Sequence, residues 1–316
     1  MTSRRLLPIL AVVAAAVAGP ARAELLYVIQ NDNIYSYDVS LGSASAIAAS
    51  RQNVLVGSPY VQASYGMAFD STGSFYVSSM GSAGSGSWVA KFDAYGTYVS
   101  QITELMNGPL AVAVDSTDNL YVLDVGPHPA VVKYTSAGAV YGSIANLPIP
   151  SSLAVSGAGD IYVGFYVDKG DRIKMYGSDM MPTGTISSDT NWVNGLAIGP
   201  SGNLYSVDSF GYIDVFTASG GYLQQFGNGN PNDLTTPVFD SAGNLYLFTG
   251  SDSISIAKFS ANGAYQFSWS VGTYATAMTY GPVLVPEPSA YAMAIGGIVI
   301  VAWRSLRQRR RRDRSA

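Results

Sequence analysis

No cysteine occurs in the 316 residues, and histidine occurs once, at His128. The first absence removes disulfides, thiolate metal sites and cysteine nucleophiles, while leaving the compartment open, because exported bacterial proteins often lack cysteine. The second removes any multi-histidine metal centre. Charge is also scarce, at 12% Asp, Glu, Lys and Arg. Between Glu24 and Leu284, 7 Lys and Arg stand against 19 Asp and Glu, a net of −12. The whole-chain value of −4 hides this, because arginines gather at the two ends. An acidic body without basic clusters argues against nucleic acid, whose phosphates need cationic partners. No G-x-S-x-G, P-loop or dinucleotide fingerprint is present, so neither a serine nucleophile elbow nor a nucleotide cofactor is indicated.

The chain instead holds 34 Gly and 22 Tyr, a profile suited to many short strands joined by tight turns. At the start, Arg4 and Arg5 precede an apolar run from Leu6 to Ala18, and Ala21-Arg22-Ala23 forms an A-x-A site. This is the pattern of a secretory signal peptide over 1–23, cleaved after Ala23. The run is short for an uncleaved anchor. Pro8 and Ile9 break the twin-arginine pattern that "SRRLL" suggests, so the general translocon is the expected route.

The body repeats itself. "DSTGSFYV" (70–77), "DSTDNLYV" (115–122), "SGAGDIYV" (156–163), "GPSGNLYS" (199–206) and "DSAGNLYL" (240–247) share a turn and a Tyr strand. Their tyrosines are spaced 45, 41, 43 and 41 residues apart, and Tyr27 in "ELLYVIQ" adds a sixth copy 49 residues earlier. Such a period fits one propeller blade. Ahead of each turn lies an inner strand: "GMAFD", "AVAVD", "SLAVS", "GLAIG" and "TPVFD". Small residues (Gly66, Ala111, Ser152, Gly195, Thr236) alternate with bulky ones such as Met67, Phe69, Val112 and Leu196. Since strand side chains alternate faces, each blade has a small face and a bulky face that can stack head to tail into a ring.

The mature chain begins on a second strand, so the first blade lacks its inner strand. "AMTYG" (277–281) has the missing pattern and is expected to complete it, leaving no open sheet edge. The reading is a six-bladed all-β propeller of four-stranded antiparallel blades over 24–284. On "DSTDNLYVLD", "SGNLYSVD" and "DRIKMY", the chain resembles the NHL-repeat family of six-bladed propellers. That family's Tyr-x-x-Asp carboxylate falls on Asp124 and Asp208, while Ser79, Phe165 and Thr249 depart from it.

The segment 285–316 reads differently. Pro286 and Pro288 forbid a continued strand. Residues 290–303 form an uncharged apolar run, roughly 21 Å as a helix against a ~30 Å hydrocarbon core. Tyr291 and Trp303 suit the interfaces. Arg304, Arg307, Arg309, Arg310, Arg311 and Arg312 then hold the end in the cytoplasm by the positive-inside rule, which leaves the body outside. Val285-Pro286-Glu287-Pro288, an apolar helix and a terminal Arg cluster, in that order, resemble the PEP-CTERM sorting signal. The resemblance implies an exosortase, a membrane-embedded processing enzyme, as partner. It also implies transient inner-membrane anchoring, final placement at the outer surface or outside the cell, and association with exopolysaccharide and biofilm. A plain C-terminal anchor is the alternative.

Within the body, Asp124 and Asp208 end second strands on the face where propeller pockets commonly lie, and His128 sits in the next loop, "GPHPAVV". A carboxylate pair there can bind a cation or act as acid and base; each can equally organise its own loop through backbone N–H groups. No metal or cofactor is assigned. The expected function is a noncatalytic binding or scaffold module, with extracellular polysaccharide or a surface protein as ligand. A divergent lactonase-like hydrolase using carboxylates and a divalent cation, and a matrix component without a ligand, are the alternatives.

Overall fold

The computed structural model describes residues 24–80, 86–167, 170–187, 192–227, 237–250 and 253–282. Six four-stranded antiparallel sheets are arranged as blades. The first uses β1 (Leu25–Gln30), β2 (Asn33–Asp38) and β3 (Gln52–Leu55), with a short helix α1 (Ala44–Ala49) between the last two. The second holds β4 (Met67–Phe69), β5 (Phe75–Ser79), β6 (Trp88–Phe92) and β7 (Tyr98–Ile102). The third holds β8 (Pro109–Val114), β9 (Leu120–Asp124), β10 (Ala130–Tyr134) and β11 (Val140–Ile144). The fourth holds β12 (Pro150–Val155), β13 (Ile161–Phe165), β14 (Asp171–Tyr176) and β15 (Pro182–Ser187). The fifth holds β16 (Val193–Ile198), β17 (Leu204–Asp208), β18 (Tyr212–Phe216) and β19 (Tyr222–Gly227). The sixth holds β20 (Val238–Phe239), β21 (Leu245–Thr249), β22 (Ile254–Phe259) and β23 (Tyr265–Gly272), after which β24 (Ala275–Gly281) returns to the first.

The closure is the expected one. Leu25 pairs with Gly281, Tyr27 with Thr279 and Ile29 with Ala277. Tyr27 also donates its hydroxyl to the Pro282 carbonyl at 2.6 Å. The first blade therefore gains its inner strand from the far end of the domain.

Local chemistry sets the turns. Asp70, Asp115 and Asp240 each accept, on one carboxylate oxygen, the backbone N–H groups two and four residues on, at 2.8–3.0 Å. Ser156 substitutes in the fourth blade, its Oγ accepting Asp160 N–H at 3.0 Å. The chain then passes through positive φ at Gly73, Asp118, Gly159, Gly202 and Gly243, where a residue without Cβ or a short polar one is cheapest. The second oxygen of Asp115 and Asp240 accepts the repeat tyrosine's hydroxyl, Tyr121 at 3.0 Å and Tyr246 at 2.8 Å. Each turn is thereby tied to the strand that follows it.

The core is six hydrophobic clusters, and each straddles one seam between neighbouring blades. Alternation sorts the side chains. Tyr27 and Ile29 pack with the second blade, whereas Leu26 and Val28 pack with the sixth. On the inner strands, Ala111 and Ala113 meet Leu153 and Val155, and Ala154 meets Leu196 and Ile198. Gly66 is so close to its neighbour that a Cβ would lie 2.9 Å from the Val112 nitrogen. Small face meets bulky face around the ring, as the inner-strand pattern predicts. Thr236 lies outside the described residues.

Helix α1 is the departure from the repeat. Ser43 caps it, its Oγ accepting Ala46 N–H, as an N-cap serine does. Its single buried residue, Ile47, joins Trp269 and Val271 of β23. The helix thus braces the closing seam from outside.

Candidate functional site

The two faces of the ring differ. One carries the tight turns described above. The other carries the connections between second and third strands and those between blades. On this loop face, a backbone clamp recurs at the ends of five second strands, those of the first to fifth blades. Asn31, Met80, Val125, Tyr166 and Ser209 donate their N–H groups to the carbonyls of Tyr274, Ala63, Gly108, Ile149 and Trp192. Each accepting residue stands three positions before the small residue of an inner strand, so the clamp joins the chain entering each of these five blades to the end of that blade's second strand.

Asp124 and Asp208 lie directly before two of these clamps, at the ends of β9 and β17. Both are buried, 3% and 6% exposed. Asp124 accepts the N–H groups of Asn107 and Gly108 on one oxygen, at 2.6 and 2.9 Å, and that of Gly126 on the other at 2.9 Å. Asp208 accepts those of Phe210 and Tyr212 on one oxygen, both at 2.9 Å. Asp124 ties the connection arriving from the second blade to its own β9–β10 loop, and Asp208 holds the β17–β18 turn. His128 is exposed in the β9–β10 loop. Among the described residues, no group of three or more His, Cys, Asp or Glu is arranged to share a metal ion. Ala21 and Ala23, and the tail residues Val285, Pro286, Glu287, Pro288 and Arg304 to Arg312, lie outside the described residues.

Aromatic side chains are what the loop face presents. Tyr65, Trp192, Tyr212 and Tyr274, each at or just before a strand start, are all exposed, Tyr274 by 75%. Tyr166 and Phe210 in the second-to-third-strand loops join them. Tyr166 and Trp192 meet edge to face with centroids 6.1 Å apart. Sequence reasoning missed Tyr166 and Phe210, because neither belongs to a repeated motif. It also missed a recurrent lysine. Lys91, Lys133 and Lys258 lie across the strand pair from Tyr76, Tyr121 and Tyr246, with Nζ 4.9, 5.1 and 5.4 Å from the ring centroids. The signal was visible as the Lys preceding the third-strand aromatic in "WVAKF", "AVVKY" and "SIAKF".

No family model and no curated protein matches the chain. Solved structures do. A Bacteroides caccae protein of unknown function superposes with a TM-score of 0.59 at 10% identity, over 82% of this chain and 99% of that one. A gluconolactonase from Xanthomonas campestris gives 0.55 at 17% identity, over 69% and 76%. A virginiamycin B lyase from Staphylococcus aureus gives 0.54 at 13% identity, over 74% and 76%. At such identities the likeness establishes the propeller fold alone, because one fold hosts many chemistries.

Proposed function

We propose that this chain is an exported, C-terminally sorted propeller that binds rather than catalyses, its ligand an extracellular polysaccharide or a surface protein. The sorting half of the reading comes from the two ends of the sequence: a signal peptide over 1–23 and Pro-Glu-Pro, apolar helix and arginines over 285–316. These suit a chain threaded through the translocon, held briefly in the inner membrane, then handed to an exosortase. The observation that carries binding over catalysis is the fate of Asp124. Both its oxygens are committed to backbone donors, so the carboxylate is engaged in holding backbone instead of being presented to a ligand. A lactonase-type site needs several convergent carboxylates, and the described residues offer no such group. Exposed Tyr and Trp, by contrast, supply broad contact area at low entropic cost.

Two measurements test the two halves. Mass spectrometry of the protein isolated from its host should find Glu24 first and the arginine block gone; an intact C-terminus defeats the sorting half. Co-sedimentation with the host's own extracellular matrix should fall about tenfold for Trp192→Ala with Tyr166→Ala, whereas unchanged sedimentation removes the loop face from binding.

A further inference from the structure

The repeat is interrupted at one place, between Tyr27 and Tyr76, where the spacing rises to 49. The extra residues build α1 and lengthen the β3–β4 connection to residues 56–66. The helix lies among the third-to-fourth-strand turns, whereas the connection lies on the loop face, and in repeat proteins insertions gathered on one face often carry binding. Here the connection and the β1–β2 turn enclose an open cleft of about 570 Å³, within the range of small-ligand sites.

The cleft's walls are pinned. Asp32 Oδ1 accepts Ala63 N–H and Asn33 Oδ1 accepts Gly57 N–H, both at 2.8 Å. Gln62 N–H bonds to Ser79 Oγ, and Trp88 Nε1 donates to the Tyr60 carbonyl. Three wall residues with a Cβ, Asn31, Asp32 and Ala63, are held at φ of 49°, 57° and 45°. At Asn31 and Asp32 this is the ordinary geometry of a two-residue hairpin turn; only at Ala63 does it carry strain that the surrounding structure must impose.

The groups left over define the ligand. Among the described residues, nothing bonds to the side-chain amides of Asn31 and Gln62 or to Asp32 Oδ2, and all three residues line the cleft. Amides offer both donors and acceptors, and the carboxylate oxygen accepts. The exposed Pro59 ring adds an apolar surface. No Lys, Arg or His lines the space, which disfavours phosphate, sulfate or uronate. One carboxylate, half of it already bonded to Ala63, is too little for a dedicated divalent cation. A dense array of neutral hydroxyls matches this set.

We propose that the cleft between the β1–β2 turn and the β3–β4 connection binds one residue of an uncharged sugar, through Asn31, Asp32 and Gln62. This rests on reading the domain as a binding module, but it assigns a site apart from the aromatic side chains of the fourth and fifth blades. The shared chemistry is the sugar hydroxyls; a free sugar and a polymer are separate arms of the test. The propeller is titrated with glucose, galactose, mannose and N-acetylglucosamine, then with their disaccharides and a soluble neutral glucan, by ligand-observed NMR and calorimetry. Saturable binding of at least one probe is expected, weakened about five- to tenfold by Asn31→Gly or Gln62→Ala. Trp192→Ala should leave the free-sugar arm unchanged. Neither Asn31 nor Gln62 uses its side-chain amide among the described residues, and glycine accepts the positive φ at position 31, so both variants should retain the wild-type circular dichroism spectrum. Binding that disappears with Trp192→Ala and ignores the other two overturns the cleft while sparing the binding module. Silence across every probe overturns it too, and matrix co-sedimentation then judges the module alone.

Discussion

At the scale of single residues, the turn aspartates do more than shape a hairpin. Burial alone would raise the Asp115 carboxyl, but hydrogen bonds from Asn119 and Thr117 outweigh it and hold the group below the ordinary carboxylate range. A depressed folded-state pKa means that stability is fully present above the unfolded value near 3.9 and drains away as pH falls through the folded one. In urea unfolding, Asp115→Asn should therefore be less stable than wild type at pH 7, with the gap closing below about pH 4. A gap independent of pH would assign the loss to something other than the carboxylate's charge. Tyr121 and Tyr246 are pushed the other way, by burial first and by their aspartates second, so both stay protonated donors. These positions were legible in the sequence because Asp, then Gly or Asp, then Tyr recur at fixed spacing. Asp124 was legible only as a carboxylate. That its oxygens would be spent on Asn107, Gly108 and Gly126 depends on a connection arriving from the previous blade, which no local pattern announces.

At the scale of elements, the inner strands show how little room a seam leaves. Gly66 of the second blade faces the backbone of Ala111 and Val112 in the third. A backbone obstacle cannot rotate aside as a side chain can. Gly66→Ala should cost about 1–3 kcal/mol, the range for overpacking a well-filled interior, read as a lower denaturation midpoint with an unchanged m-value. The small–bulky alternation that predicts this packing was plain in five inner strands. Helix α1 was not. Six residues are too few for a helical period to emerge, and Ala44–Ala49 offer one large apolar side chain, Ile47. Its burial against Trp269 and Val271 is a tertiary fact. Ile47→Ala should destabilise by about 2–4 kcal/mol, measured by thermal or chemical melting. A loss under 0.5 kcal/mol would mean that the helix is ornamental to the closing seam.

At the scale of the molecule, the core is divided among six seams, and stability depends on the ring being closed. Ending the chain at Thr273 removes β24 and strips the first blade of its inner strand. It also bares the edge of β1, including the buried Leu26, Tyr27, Val28 and Ile29. Such an edge pairs with whatever strand it meets. The truncated chain should elute at a higher mass than the intact domain in light-scattering chromatography; an unchanged mass would contradict the closure argument. The ring was readable because its period and its missing strand both lie in the linear sequence. The loop face was readable only in part: Trp192 stands out near a strand start, but it meets Tyr166 only once the fourth and fifth blades stand side by side. The cleft escaped notice for the same reason.

Closure by β24 also has a mechanical side. Leu25 faces Gly281 across an antiparallel ladder, so the first and last strands of the domain terminate side by side. Force applied between those two ends would act on the ladder one rung at a time, as in opening a zipper, instead of loading every bond together. The ring should therefore give way at low force when stretched end to end. Held from one end alone, the ladder meets only the drag on the body itself, so a body hung from a single stem in flowing liquid loads it far less than a pull set across both ends.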